Sequence, residues 1–157
     1  VAIALQNLEL AEEYAGRSLS LRRRINDTDG VADALRTLAW ASIEARDFKT
    51  ADERLSESIQ LTLGIGDRRG ISEALELYAL LASDRGQFRR AVELFSSAAQ
   101  IRRNFDYAPR VRVLRREAAL EAAKQQITEQ EYARAWRRGA SLELSDAVAA
   151  GLHAPEA

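Results

Sequence analysis

Two short stretches hold the side chains best suited to ligand chemistry. Gly64-Ile65-Gly66-Asp67-Arg68-Arg69-Gly70 has the glycine density of a phosphate-cradling loop. Such loops work because backbone N–H groups at a helix N-terminus point at the anion, and a dinucleotide site also needs a strand before it. Here a helical period precedes the stretch, and its counterpart forty residues earlier lacks the first two glycines, so it reads as a linker. Asn26-Asp27-Thr28-Asp29-Gly30 has the acidic spacing of a calcium loop without the further ligands and the closing glutamate. His153 is the only histidine and there is no cysteine, which removes thiolate metal sites, disulfides and cysteine nucleophiles. Acid pairs such as Glu12-Glu13 are ordinary helix-surface charges. No group of residues meets the geometry that acid–base or nucleophilic catalysis requires. The chain is expected not to be an enzyme and to need no cofactor and no metal.

Arginine clusters are the other chemically pointed feature. They lie at Arg22-Arg23-Arg24, Arg68-Arg69, Arg89-Arg90, Arg102-Arg103, and Arg110, Arg112, Arg115 and Arg116. Between 102 and 116 six arginines meet one aspartate. One reading is a contact for nucleic acid or an acidic partner domain. The other, favoured by a net charge of −1 and the lack of interleaved aromatics for stacking, is a solvated helix face neutralised by nearby acids. Direct nucleic-acid binding is therefore not expected.

These residues need elements to hold them, and the elements are helices. The 157 residues include 8 Gly and 2 Pro, with 46% apolar and 30% charged residues. That is a globular composition with few helix breakers. No apolar run approaches the roughly 18–20 residues of a membrane span, and no signal-peptide pattern opens the chain. A cytoplasmic protein without membrane partners is expected.

Two blocks align without a gap at an offset of 40. Leu21 matches Leu61, Ile25 matches Ile65, Asp27 matches Asp67, Gly30 matches Gly70, Ala39 matches Ala79, Phe48 matches Phe88, and Ala51 matches Ala91. Apolar residues recur at three- and four-residue steps from Val31 to Ser42 and from Ile71 to Ala82, then again after Asp47 and after Gln87. Each block predicts a helical hairpin with a tight turn, followed by a longer loop (Asn26 to Gly30, Gly64 to Gly70). Gly30 and Gly70 suit a permissive backbone in those loops. Run backwards, the register matches Asn7-Leu8 to Asp47-Phe48, which ends one helix near residue 6 and starts another near Leu8. Forwards, Glu131-Tyr132-x-x-Ala135 matches Gln87-Phe88-x-x-Ala91 four residues late, which predicts a longer helix from Arg110 to Ile127, with Pro109 at its start. Ser141 reads as the N-cap of a terminal helix to Leu152 that closes the last apolar face.

The spacing of large, small, aromatic, small and large residues resembles the tetratricopeptide repeat (TPR). Leu35, Ala39, Phe48, Ala51 and Leu55 are followed by Leu75, Ala79, Phe88, Ala91 and Phe95, with Tyr132 and Ala135 in the last unit. The small residues let two helix backbones approach and the aromatic plugs the gap. The period is six residues longer than the roughly 34-residue consensus, and the consensus proline is missing. The stretch from Tyr132 to Val148 is similar to the ending of TPR arrays in LuxR-type and MalT-like bacterial ATPase regulators. The resemblance implies an all-α, right-handed α–α superhelix of helical hairpins with a capping helix. It divides the chain into a partial repeat 1–25, repeats 26–65 and 66–105, an atypical repeat 106–140 and a cap 141–152. Val1 falls inside a helix in this register, so the chain is expected to be part of a longer protein, with self-association possible at its N-terminal end.

In such arrays the first helix of each hairpin lines a concave groove. The resemblance places Asp33, Arg36, Trp40 and Ile43 there from one repeat and Glu73, Glu76 and Leu80 from the next. Trp40 and Leu80 would form an apolar spot rimmed by charge for an extended peptide or a helix. Alternatively, Trp40 packs against a neighbouring hairpin. The implied function is a protein-interaction or ligand-sensing module of a signal-responsive transcriptional regulator, with a protein, a peptide or the parent's other domains as partner. The alternative is a structural or oligomerising spacer.

Overall fold

The computed structural model describes residues 2–103 and 110–153. Pro109 and Phe105 lie outside them. The described residues form eight α-helices and no strand: α1 (Ala2–Arg24), α2 (Thr28–Glu44), α3 (Phe48–Ile65), α4 (Arg68–Asp84), α5 (Phe88–Arg102), α6 (Arg110–Gln126), α7 (Glu129–Ser141) and α8 (Leu144–Leu152). None is long and apolar enough to cross a membrane. The chain divides into two compact units, Val1–Gly70 and Ile71–Ala157, with the boundary three residues into α4.

The turns repeat more finely than the side chains do. Asn26, Arg46, Gly66 and Gly86 take left-handed backbone, with φ of 56°, 60°, 70° and 76°. In each case the next N–H closes back on a carbonyl five residues earlier: Asp27 on Arg22, Asp47 on Ser42, Asp67 on Thr62, Gln87 on Ala82, at 2.8–3.0 Å. This is the Schellman closure, which satisfies carbonyls that a helix end leaves orphaned. The following residue then begins the next helix's N-cap. The Asp27 carboxylate accepts from Gly30 N–H, and that of Asp47 accepts from Thr50 N–H.

This geometry corrects the expected loops. Thr28 to Gly30 already lie in α2, Gly64 and Ile65 end α3, and Arg68 to Gly70 open α4. These two connections, α1 to α2 and α3 to α4, are as short as the turns within hairpins. Gly30 and Gly70 are glycine for lack of space, not for a special φ. A Cβ on Gly30 would collide with the Arg22 and Asp27 side chains, and one on Gly70 with Asp67 and Thr62.

In the first unit α2 packs on both α1 and α3. Leu35, Ala39, Ala51, Leu55 and Ile59 are buried there. The expected break at Asn7 is absent, because α1 runs unbroken from Ala2.

In the second unit α4 is buried along nearly all its length from Ile71 to Ser83. Leu75, Ala79, Ala91 and Phe95 are core residues. The described part of α6 ends at Gln126, one residue short of the expected Ile127, and its 17 residues, as many as in α2 and α4, hold no extra turn. The four-residue delay lies in α7 instead. That helix starts at Glu129, behind a Thr128–Glu131 capping box, and Tyr132 sits nearly one turn in. Helix α7 packs mainly along α5. A Cβ on Gly139 would meet the backbone carbonyl of Glu93, so these two helices touch backbone to backbone. Val92, Ala123 and Ala135 form a small core there with Tyr132 and Trp136 against it. Ser141 ends α7 rather than capping α8, and its hydroxyl donates to the Arg138 carbonyl. Helix α8 closes on α4 and α5. Gly151 lies against Leu75 and Tyr78, and Arg90 donates to the carbonyls of Ala150 and Gly151. A cationic side chain suits the negative end of a helix.

Candidate functional site

The groove residues are best taken unit by unit. On α2, Asp33 is exposed and accepts from Arg36 Nη2 at 3.4 Å. Arg36 itself is buried, Trp40 is half-buried, and Ile43 has no exposed surface. On α4, Leu80 is fully buried and Glu76 nearly so, while Glu73 is half-buried. Ile43 and Leu80 therefore present nothing to a ligand in this fold, and exposed surface remains mainly at Asp33, Trp40 and Glu73.

The acids of α4 have partners that the sequence kept apart from them. The Glu76 carboxylate accepts from Arg102 on α5 and from Arg116 on α6, the latter at 3.3 Å. Arg115 donates to Asp84 at 2.7 Å, and Arg112 lies 3.9 Å from Glu73. Three acids of α4 and four arginines of the 102–116 cluster are thus paired with one another. A buried carboxylate held by two guanidiniums fixes helix positions, because removing either sign leaves an uncompensated charge. Arg110 lies at the edge of the described residues and its side chain is outside them.

The other candidate loops are occupied by their own structure. The Asp27 carboxylate caps α2 and lies 3.7 Å from Arg22. Gly66 is the left-handed residue between α3 and α4, not part of an anion cradle. Among the described residues no three His, Cys, Asp or Glu side chains are grouped as for a metal ion. His153 is the C-cap residue of α8.

Among the described residues two carboxyls are held below their ordinary range, both by capping. Hydrogen bonds from the Thr50 hydroxyl and backbone lower Asp47. For Glu131 the Thr128 backbone N–H is the main cause, aided by the Thr128 hydroxyl and Arg89.

Sequence reasoning missed two surfaces. One is a pocket of about 430 Å³ lined by Lys124, Ile127, Glu129, Tyr132 and Ala133. Its Tyr132 ring stacks on Trp136 at 6.3 Å, and Lys124 Nζ lies 5.9 Å from the Tyr132 centroid. The other is exposed apolar surface: Leu10, Tyr14 and Leu21 on α1 with Ile25 after it, Leu63 and Ile65 on α3, Val111 and Leu114 on α6. The helical spacing on α1 was a readable signal, but periodicity alone does not say which side of a helix is covered.

No family model, curated protein or solved structure matches the chain.

Proposed function

We propose that this chain is a protein-interaction module built of tetratricopeptide-like hairpins, stacked as a right-handed superhelix within a signal-responsive cytoplasmic regulator of the LuxR or MalT-like kind. The observation that carries the reading is the repeated turn. The same left-handed closure recurs every twenty residues at Asn26, Arg46, Gly66 and Gly86, over the 40-residue side-chain repeat. Repeats of this kind bury a shared core and leave outer faces for a partner. The pairing of Arg102, Arg112, Arg115 and Arg116 with Glu73, Glu76 and Asp84 supports a protein or peptide partner rather than nucleic acid. Large apolar side chains left at the surface suit the same kind of partner.

A second reading, a structural spacer, draws support from the burial of Ile43 and Leu80 and from the internal pairing of the α4 acids. A binding titration followed by tryptophan fluorescence separates the two, with the remaining domains of the parent regulator and candidate peptides as titrants. A change that saturates, and that Trp40→Phe reduces, is expected for the module. Absence of any binding would favour the spacer.

A further inference from the structure

On α1 the exposed apolar side chains are ordered. Leu10, Tyr14, Leu21 and Ile25 are 43%, 65%, 59% and 72% exposed. Ile25 stays on the helical path, since its N–H bonds the Leu21 carbonyl at 3.2 Å. At 3.6 residues per turn the four fall within an arc of roughly 60°. Ala15, which is buried, points to a different side. The stripe is symmetric along the helix, because Leu10 and Ile25 lie equally far from the point between Arg17 and Ser18, as do Tyr14 and Leu21.

The charges beside the stripe are not symmetric, and that decides the occupant. Of the charges that flank it, Glu13 lies in the first half of α1 and Arg17, Arg22 and Arg24 in the second, whereas Glu12 and Arg23 lie on the opposite side and pair with Arg54 and Glu57 of α3. A second α1 laid parallel would set Glu13 level with the partner's Glu13 and the three flanking arginines level with their own copies. Laid antiparallel, it sets Leu10 on the partner's Ile25 and Tyr14 on the partner's Leu21, and brings Glu13 towards the partner's Arg24. Opposite charges flanking an apolar seam are what fix orientation between paired helices.

We propose that a second copy of this chain docks on α1, antiparallel, about a two-fold axis passing between Arg17 and Ser18. Such isologous pairing uses one patch on both copies. The inference rests on α1 alone and stands whether or not the module binds another protein.

The whole chain tests it. Sedimentation over a concentration series should show a monomer–dimer equilibrium. The double variant Tyr14→Arg, Leu21→Arg should sediment as a monomer with unchanged helical circular dichroism, both residues being largely exposed. Glu13→Arg should weaken association by on the order of tenfold, and adding Arg24→Glu should recover most of it. The absence of cysteine permits cross-linking with single introduced thiols. Arg17→Cys should form a disulfide-linked dimer, and Leu10→Cys should cross-link only with Ile25→Cys. A monomeric mass at every concentration would overturn the proposal. So would a dimer that survives the double arginine variant, or Leu10→Cys cross-linking to itself.

Discussion

At the scale of single residues, Glu76 explains most. Its carboxylate is nearly out of solvent and faces two guanidiniums, while Arg102 and Arg116 keep 23% and 20% of their side-chain surface exposed. Glu76→Ala leaves both cations without their shared partner. It is expected to lower unfolding stability by about 3 kcal/mol, the low end for breaking a buried pair, because each arginine retains some water. Arg112→Ala removes a contact of 3.9 Å between partly exposed groups. It should cost less than about 1 kcal/mol. Urea titration of the two variants gives the comparison, and equal losses would mean that the network is not centred on Glu76. The sequence showed every member of this network but not its pairing. Glu76 and Arg116 are one repeat length apart, and opposite charges at that distance are the signal that could have joined them. It was masked because α4 was expected to be open along one face. Whether a helix face is covered depends on elements far along the chain, and α6 and α8 do the covering here.

Helix pairs show how one packing solution is reached with different residues. In the hairpin of the first unit, the Ser58 hydroxyl on the second helix donates to the Ala32 carbonyl on the first, at 2.8 Å. Forty residues on, the roles are exchanged, and Ser72 on the first helix donates to Ala98 on the second, at 2.9 Å. One buried hydrogen bond crosses each hairpin at the same level, with the hydroxyl supplied from opposite sides. Ser58→Ala should therefore cost about 1 kcal/mol. Combining it with Ala32→Ser should restore most of that loss in thermal unfolding, and no restoration would show that the two hairpins are not equivalent there. Glycines divide in a similar way. Gly139→Ala must push α7 off the Glu93 carbonyl. A loss of about 1–3 kcal/mol or more is expected from such overpacking. Gly64 sits within α3 with open space around it, so Gly64→Ala should raise stability by roughly 0.5–1 kcal/mol. The helices and the 40-residue period could be read from the sequence because apolar spacing records which residues face a core. The twenty-residue period of the turns could not. It is written in backbone conformation, which Asn26, Arg46, Gly66 and Gly86 all adopt although they are three different residue types. At Arg46 the guanidinium lies 5.1 Å from the Phe48 ring, a contact that favours a turn where no glycine announces one.

Over the whole molecule the charges nearly cancel, with 23 basic against 24 acidic side chains, and many are paired across helices. Global repulsion is then weak at neutral pH and grows as carboxylates protonate, and the capping carboxylates are identifiable contributors on top of it. Asp47 in the first unit and Glu131 in the second are held below their ordinary values by hydrogen bonds that exist only in the folded chain. In the unfolded chain the same carboxyls return to the ordinary range. Between the folded and unfolded values the unfolded state binds more protons, so stability rises with pH across that window. The contribution is complete above the ordinary carboxylate range and is lost as pH falls through the lowered folded values. Asparagine caps a helix as aspartate does, and glutamine can complete a capping box, but neither titrates. The double variant Asp47→Asn, Glu131→Gln should accordingly keep its helices and show a shallower decline of urea stability from neutral pH down to about pH 3, below the ordinary carboxylate range. A decline as steep as that of the unaltered chain would place its acid sensitivity in carboxylates other than the two caps.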